Sequence, residues 1–152
     1  MNKLLELECN LEELNNFSNK IVKTTKLGDI FLLSGDLGAG KTTFARNFIN
    51  NLFKKYLVTK PDVIKSPSFP IMISYDLIDF EIYHYDFYRL NNKNELAELN
   101  IFENLENSIS LIEWPGILIQ NYKLTNYYNI NFEFINYTTR LIKFEHSEKK
   151  KM

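Results

Sequence analysis

Gly35-Asp36-Leu37-Gly38-Ala39-Gly40-Lys41-Thr42-Thr43 sets glycines, a lysine and hydroxyls at the spacing G-x-x-x-x-G-K-[ST]. Such a run can capture a nucleoside polyphosphate. The glycines let the backbone curl until successive N–H groups point at phosphate oxygens. Lys41 can reach the terminal phosphates, and the Thr42 hydroxyl can enter a Mg²⁺ shell. A helix starting at the loop would aim its positive dipole end at the same anion.

Hydrolysis needs carboxylates as well, at the carboxyl ends of strands beside the loop. Glu113 closes the apolar run Ile109-Ser110-Leu111-Ile112, as a Walker-B acid does, and Asp86 closes Ile82-Tyr83-His84-Tyr85. Position alone also allows ordinary charged residues leaving strands. Ser66-Pro67-Ser68 puts two hydroxyls on a proline-stiffened loop, where such proteins sense the γ-phosphate, although the same residues suit a plain turn. His84 reads as a packed histidine, and Trp114 as core or a cap. Asn92-Lys93-Asn94-Glu95 imitates a guanine-binding signature, but its last acid is Glu and no buried strand precedes it.

These groups need a frame. Asp29–Ser34 reads as a buried parallel strand running into the loop. Apolar residues at 44, 45, 48, 49, 52 and 53 predict the helix that leaves it. Upstream, Lys3–Leu7 is an expected edge strand. Asn10 should cap a helix to about Lys26, with Leu11, Leu14, Phe17, Ile21 and Val22 on one face and Gly28 at its end. Downstream, strands are expected at Ile71–Tyr75, Ile82–Tyr88 and Ser108–Glu113, with one or two helical turns in Glu95–Asn107 and Pro115 as a stop. Tyr127–Phe134 and Arg140–Glu145 read as a hairpin. The expected fold class is α/β: a single P-loop NTPase-like domain over residues 1–147, with a mixed, mostly parallel central sheet flanked by helices and antiparallel C-terminal strands. Residues 148–152 are expected to be a disordered basic tail.

The 152-residue length suits one domain, and the hydrophobic fraction of 45% argues against disorder. A net charge of −1 gives no basic excess for gripping nucleic acid alone. One cysteine and two histidines leave no disulfide framework and disfavour structural zinc. The start carries charges where an export signal needs an apolar stretch, and no run approaches the ~18 apolar residues of a membrane span. A cytoplasmic chain away from membranes is expected.

In order and spacing, the loop, Ser66-Pro67-Ser68-Phe69, His84-Tyr85-Asp86-Phe87-Tyr88-Arg89-Leu90 and Glu113-Trp114-Pro115 are similar to the TsaE (YjeE-type) family. These are small bacterial P-loop ATPases of tRNA threonylcarbamoyladenosine biosynthesis. The resemblance implies that residues 35–43 bind ATP, with Lys41 on the phosphates and Thr42 and Glu113 on Mg²⁺. It implies that Asp86 is the acid required for hydrolysis, that Ser66 and Ser68 lie in a switch-like loop, and that Trp114 stands close to the nucleotide. Leu11 and Arg140 correspond to segments near the adenosine. Its implied partner is a TsaD–TsaB-like transferase complex, with tRNA reached only through that complex. The chain departs from the family at Ser68, where Thr is usual, at Phe69, where Tyr is usual, and at Leu14, where Thr is usual. Serine keeps the hydroxyl, whereas phenylalanine loses a phenol.

Two other functions compete. A small-molecule kinase would need an arginine-bearing lid, and Arg46, Arg89 and Arg140 are scattered. A non-hydrolysing module would use ATP only to order Ser66–Phe69 for a partner.

Overall fold

The computed structural model describes residues 3–148. Its frame is one seven-stranded sheet in the order β1-β7-β6-β2-β5-β4-β3. In chain order the strands are β1 (Lys3–Cys9), β2 (Ile30–Gly35), β3 (Met72–Asp76), β4 (Glu81–Asp86), β5 (Ser108–Glu113), β6 (Asn126–Phe134) and β7 (Arg140–Glu148). The helices are α1 (Leu11–Thr24), α2 (Lys41–Lys55), α3 (Lys93–Ala97), α4 (Ile101–Asn104) and α5 (Gly116–Asn121).

β2 lies at the centre because its first four residues are apolar and can be buried on both faces. Phe31 and Leu33 point into a core with α1 and α2, while Ile30 and Leu32 point into a second core with α3, α4 and α5. Phe44, Phe48, Ile49 and Leu52 of α2 are fully buried against the first face. Each contributes roughly 1.5–3 kcal/mol of apolar transfer. Lys55 at the end of α2 donates to Val22 O at 2.9 Å and so places a cation at the carbonyl end of α1.

β2 pairs in parallel with β5 and β6, and β4 pairs in parallel with β5. The other three pairings, β1–β7, β6–β7 and β3–β4, are antiparallel. The expectation of a mostly parallel sheet is therefore corrected: both edges are antiparallel and only the middle is parallel. The middle is parallel because α-helical crossovers return the chain to the same end of the sheet.

Other elements differ from the sequence reading. Leu11 does not share the buried face of α1; it is 72% exposed. The reason is its place at the first helical position, beside a surface cleft. The helical stretch after β4 begins at Lys93 and breaks at Asn100, which adopts the left-handed conformation that asparagine tolerates (φ 51°). Helix α5 follows Pro115, so that proline starts a helix as well as ending a strand. Strand β4 stops at Asp86 rather than Tyr88, and β7 runs through Glu148. The remainder of the expected basic tail, residues 149–152, lies outside the described residues.

Candidate functional site

The loop at residues 35–43 leaves the carboxyl end of β2 and feeds α2. Gly35 has φ +147°, and a Cβ there would lie 2.5 Å from Phe132 O, so only glycine fits. Gly40 has φ +117° and opens α2. The backbone N–H groups of the first turn, from Lys41 through Thr42 and Thr43, have no carbonyl within the helix to receive them. Asp36, Leu37 and Gly38 form the exposed rim, and Ala39 anchors the loop in the core. The Lys41 ammonium donates to Gly35 O at 2.5 Å and Asp36 O at 2.8 Å, and lies 4.3 Å from the centre of the Trp114 ring. Burial pulls its pKa below the ordinary lysine value, against the charges of Glu113, Asp86 and Asp36.

Glu113 ends β5 and Asp86 ends β4, and the two are paired in register. Thr42 Oγ1 donates to Glu113 Oε1 at 2.6 Å, joining the first turn of α2 to the strand tip. Asp86 is buried, not an exposed strand charge. Its Oδ1 accepts the Tyr88 N–H at 3.0 Å and its Oδ2 accepts the Ser68 hydroxyl at 3.2 Å. Ser68 is in turn 2.7 Å from Ser66 Oγ. The Ser68 hydroxyl is thus engaged with both Asp86 and Ser66. Phe69 is solvent-exposed, with the Arg89 guanidinium 5.1 Å from its ring centre.

Two bulky residues adopt the left-handed backbone beside these carboxylates. Ile71 (φ 70°) accepts the Asp86 N–H through its carbonyl at 2.8 Å. Trp114 (φ 55°) turns the chain sharply out of β5, and its indole lies between Lys41 and Tyr88, 4.9 Å from the latter. Such strain costs of order 1–3 kcal/mol per residue and concentrates at functional sites. Trp114 is half-buried over the lysine, and neither a core residue nor a cap.

Leu11 and Arg140 meet at a cleft of about 420 Å³, which also touches Gly38, Ala39, Gly40 and Thr43. Leu14 supplies an apolar wall of the same cleft. Arg140 stacks on Phe134 at 4.2 Å and donates from its Nη1 to Asn136 O at 2.9 Å, fixing the β6–β7 turn at the cleft edge. The residues expected to bind the nucleotide and the metal thus gather along one end of the sheet, in two joined halves: the lysine–carboxylate cluster and this cleft. The guanine-like run does not join them. Asn92 caps α3, accepting the Glu95 N–H at 3.0 Å.

One further residue, not singled out for the site from the sequence, touches one of these carboxylates. His84 is fully buried, and its Nε2 lies 2.7 Å from Glu113 Oε2. The available signal was its even spacing from Asp86, which puts both on one face of β4.

The hard oxygens of Thr42, Glu113 and Asp86 suit Mg²⁺ better than a softer metal. Among the described residues there is no group of three or more His, Cys, Asp or Glu side chains able to hold a metal ion. Mg²⁺ is commonly held by one or two protein groups and completes its shell with phosphate and water oxygens.

Fold and site together define a layered α/β protein whose glycine-rich loop, lysine and paired carboxylates share the carboxyl end of the central strands. The family model described as "Threonylcarbamoyl adenosine biosynthesis protein TsaE" matches residues 9–142, and the chain belongs to that family. A tRNA threonylcarbamoyladenosine biosynthesis protein TsaE from Rickettsia conorii is 41% identical over 107 residues, covering 70% of this chain and 58% of the relative. That match thus spans little more than half of the relative's length. The protein of that name from Rickettsia felis is 37% identical over 132 residues, covering 87% of this chain and 74% of the relative. The crystal structure of YdiB from Bacillus subtilis superposes with a TM-score of 0.70 at 26% identity, covering 95% of this chain and 86% of that one.

Proposed function

We propose that the chain is a P-loop NTPase-like, Mg²⁺-dependent ATPase that serves tRNA threonylcarbamoyladenosine formation by driving a TsaD–TsaB-like transferase complex. The observation that carries this reading is the junction of Thr42 with Glu113 at 2.6 Å, next to Asp86, where the glycine loop enters α2. A loop that only bound phosphate would need neither carboxylate.

In this reading the triphosphate lies along residues 35–43, with the α2 N–H groups and Lys41 on its oxygens. Thr42 and Glu113 would hold Mg²⁺, which when bound neutralises charge developing on the phosphates. Asp86, fixed through both oxygens by Tyr88 and Ser68, orients the attacking water. The water oxygen bonds to the γ-phosphorus and passes a proton to a phosphate oxygen, the bond to the β–γ bridging oxygen breaks with its electron pair staying on ADP, and ADP and phosphate leave. Trp114 shields Lys41 from bulk water. The adenosine occupies the cleft between Leu11 and Arg140, the half of the site that reaches away from the carboxylates. Ser66 and Ser68 report the state of the phosphates to the surface through their link to Asp86.

Balanced charge supports an indirect role with tRNA, reached through the partner complex in the cytoplasm. The arginines do not favour a kinase lid. Arg46 is committed to Ile64 O, Arg89 lies over Phe69, and Arg140 holds the hairpin turn.

The test is the modified-nucleoside content of tRNA from cells whose only copy carries Lys41→Ala. The reading predicts loss of threonylcarbamoyladenosine at normal levels of the protein. Unchanged modification would overturn it.

A further inference from the structure

We infer that His84 is a positioning residue for the metal site, setting the orientation of Glu113; this rests on the nucleotide-hydrolysing reading above. Both Glu113 oxygens are engaged: Oε1 by the Thr42 hydroxyl at 2.6 Å, and Oε2 by His84 Nε2 at 2.7 Å. An acceptor facing a carboxylate oxygen at that distance would be repelled, so Nε2 carries the hydrogen and donates it. Nδ1 is buried without a hydrogen-bond partner, so the ring's one polar commitment is to Glu113. With His84 at 0% exposure and Glu113 at 2%, no solvent can substitute for this bond.

The geometry explains why the histidine stands at this place. Glu113 has a flexible side chain, and a buried carboxylate with one free oxygen could rotate away from Thr42. The imidazole is held rigidly on β4, two residues before Asp86, opposite Leu111 in the ladder. It pins Oε2, so Oε1 is presented to Thr42 and to whatever cation joins them. Groups that orient a ligating carboxylate in this way typically contribute 10–100-fold in metal affinity or activity.

The test measures Mn²⁺ binding by electron paramagnetic resonance, with ATP present, for the native chain, His84→Leu, His84→Asn and His84→Gln. Metal-free ATP affinity is measured in parallel with chelator. Glutamine can place an amide donor near the Nε2 position; asparagine is too short and leucine has no donor. Expected is Mn²⁺ affinity weakened roughly 10–100-fold in the leucine and asparagine variants, largely kept in the glutamine variant, with metal-free ATP affinity unchanged in all. If leucine prevents folding, the asparagine–glutamine pair decides. Equal Mn²⁺ affinity in every variant overturns the inference, and equal losses in asparagine and glutamine variants do so too, because packing then accounts for both. Absence of ATP-linked Mn²⁺ binding in the native chain overturns the nucleotide reading itself.

Discussion

Asp86 and Glu113 are lateral neighbours across the parallel pair β4–β5, and both face α2. Their direction follows from parity. Ile82 precedes Asp86 by four residues, Ile109 precedes Glu113 by four, and both isoleucines pack in the core beneath α2. A slip of one residue in either strand would turn its carboxylate to the opposite face, away from the loop. The apolar pattern that stabilises the sheet therefore also aims the acids.

Lys41→Ala removes the ammonium that donates to the loop carbonyls of Gly35 and Asp36. Charge-assisted hydrogen bonds contribute about 1.5–3 kcal/mol, so ATP affinity should fall roughly 10- to 150-fold. Calorimetric titration checks this. An affinity within a factor of two or so of the native value would remove Lys41 from the site.

Gly35→Ala and Gly116→Ala should differ sharply. At Gly35 the new Cβ meets Phe132 O at 2.5 Å in a left-handed backbone, whereas at Gly116 nothing lies within 4 Å. We expect Gly35→Ala to lose roughly 2–4 kcal/mol in urea unfolding. Gly116→Ala should change stability by ~1 kcal/mol or less, towards stabilisation.

Asp29 gives a pH signature. Burial raises its pKa above 3.8, against the Lys26 N–H and the charges of Lys26, His146 and Lys55. The folded state thus binds more protons than the unfolded state between the two pKa values, and stability falls as pH rises through that window. Asp29→Asn keeps an acceptor for the Lys26 N–H, 3.0 Å away, and removes the buried charge. The variant should be the more stable at about pH 7, with the gain shrinking towards zero as pH falls below the ordinary aspartate value. Urea midpoints across pH measure this, and a variant less stable at neutral pH would contradict it.

The parts of the fold legible in the sequence are those encoded locally. The apolar run of β2, the glycine spacing and the helical period of α2 adjoin in the chain, and each predicts its own element. Asn10 caps α1 as expected, and Glu13 completes a reciprocal box with it. Non-local pairings left weaker traces. The antiparallel edge β1–β7 depends on Cys9 meeting Arg140 across almost the whole chain, and α5 is too short to show a period. His84 and Glu113 are 29 positions apart, and only the β4–β5 register makes them partners. Leu11 fits the apolar period of α1, but the first turn extends beyond the core it would have to cover.

In the proposed mechanism Asp86 acts in hydrolysis and not in nucleotide capture. Phosphate release and ATP affinity, measured on the native chain and Asp86→Asn with the TsaD–TsaB-like complex present, test it most directly. Asparagine keeps the acceptor for the Tyr88 N–H and the side-chain volume but removes the charge. We expect phosphate release at least ~100-fold slower, with ATP affinity near native. Native turnover in Asp86→Asn, or equal losses of turnover and affinity, would contradict it.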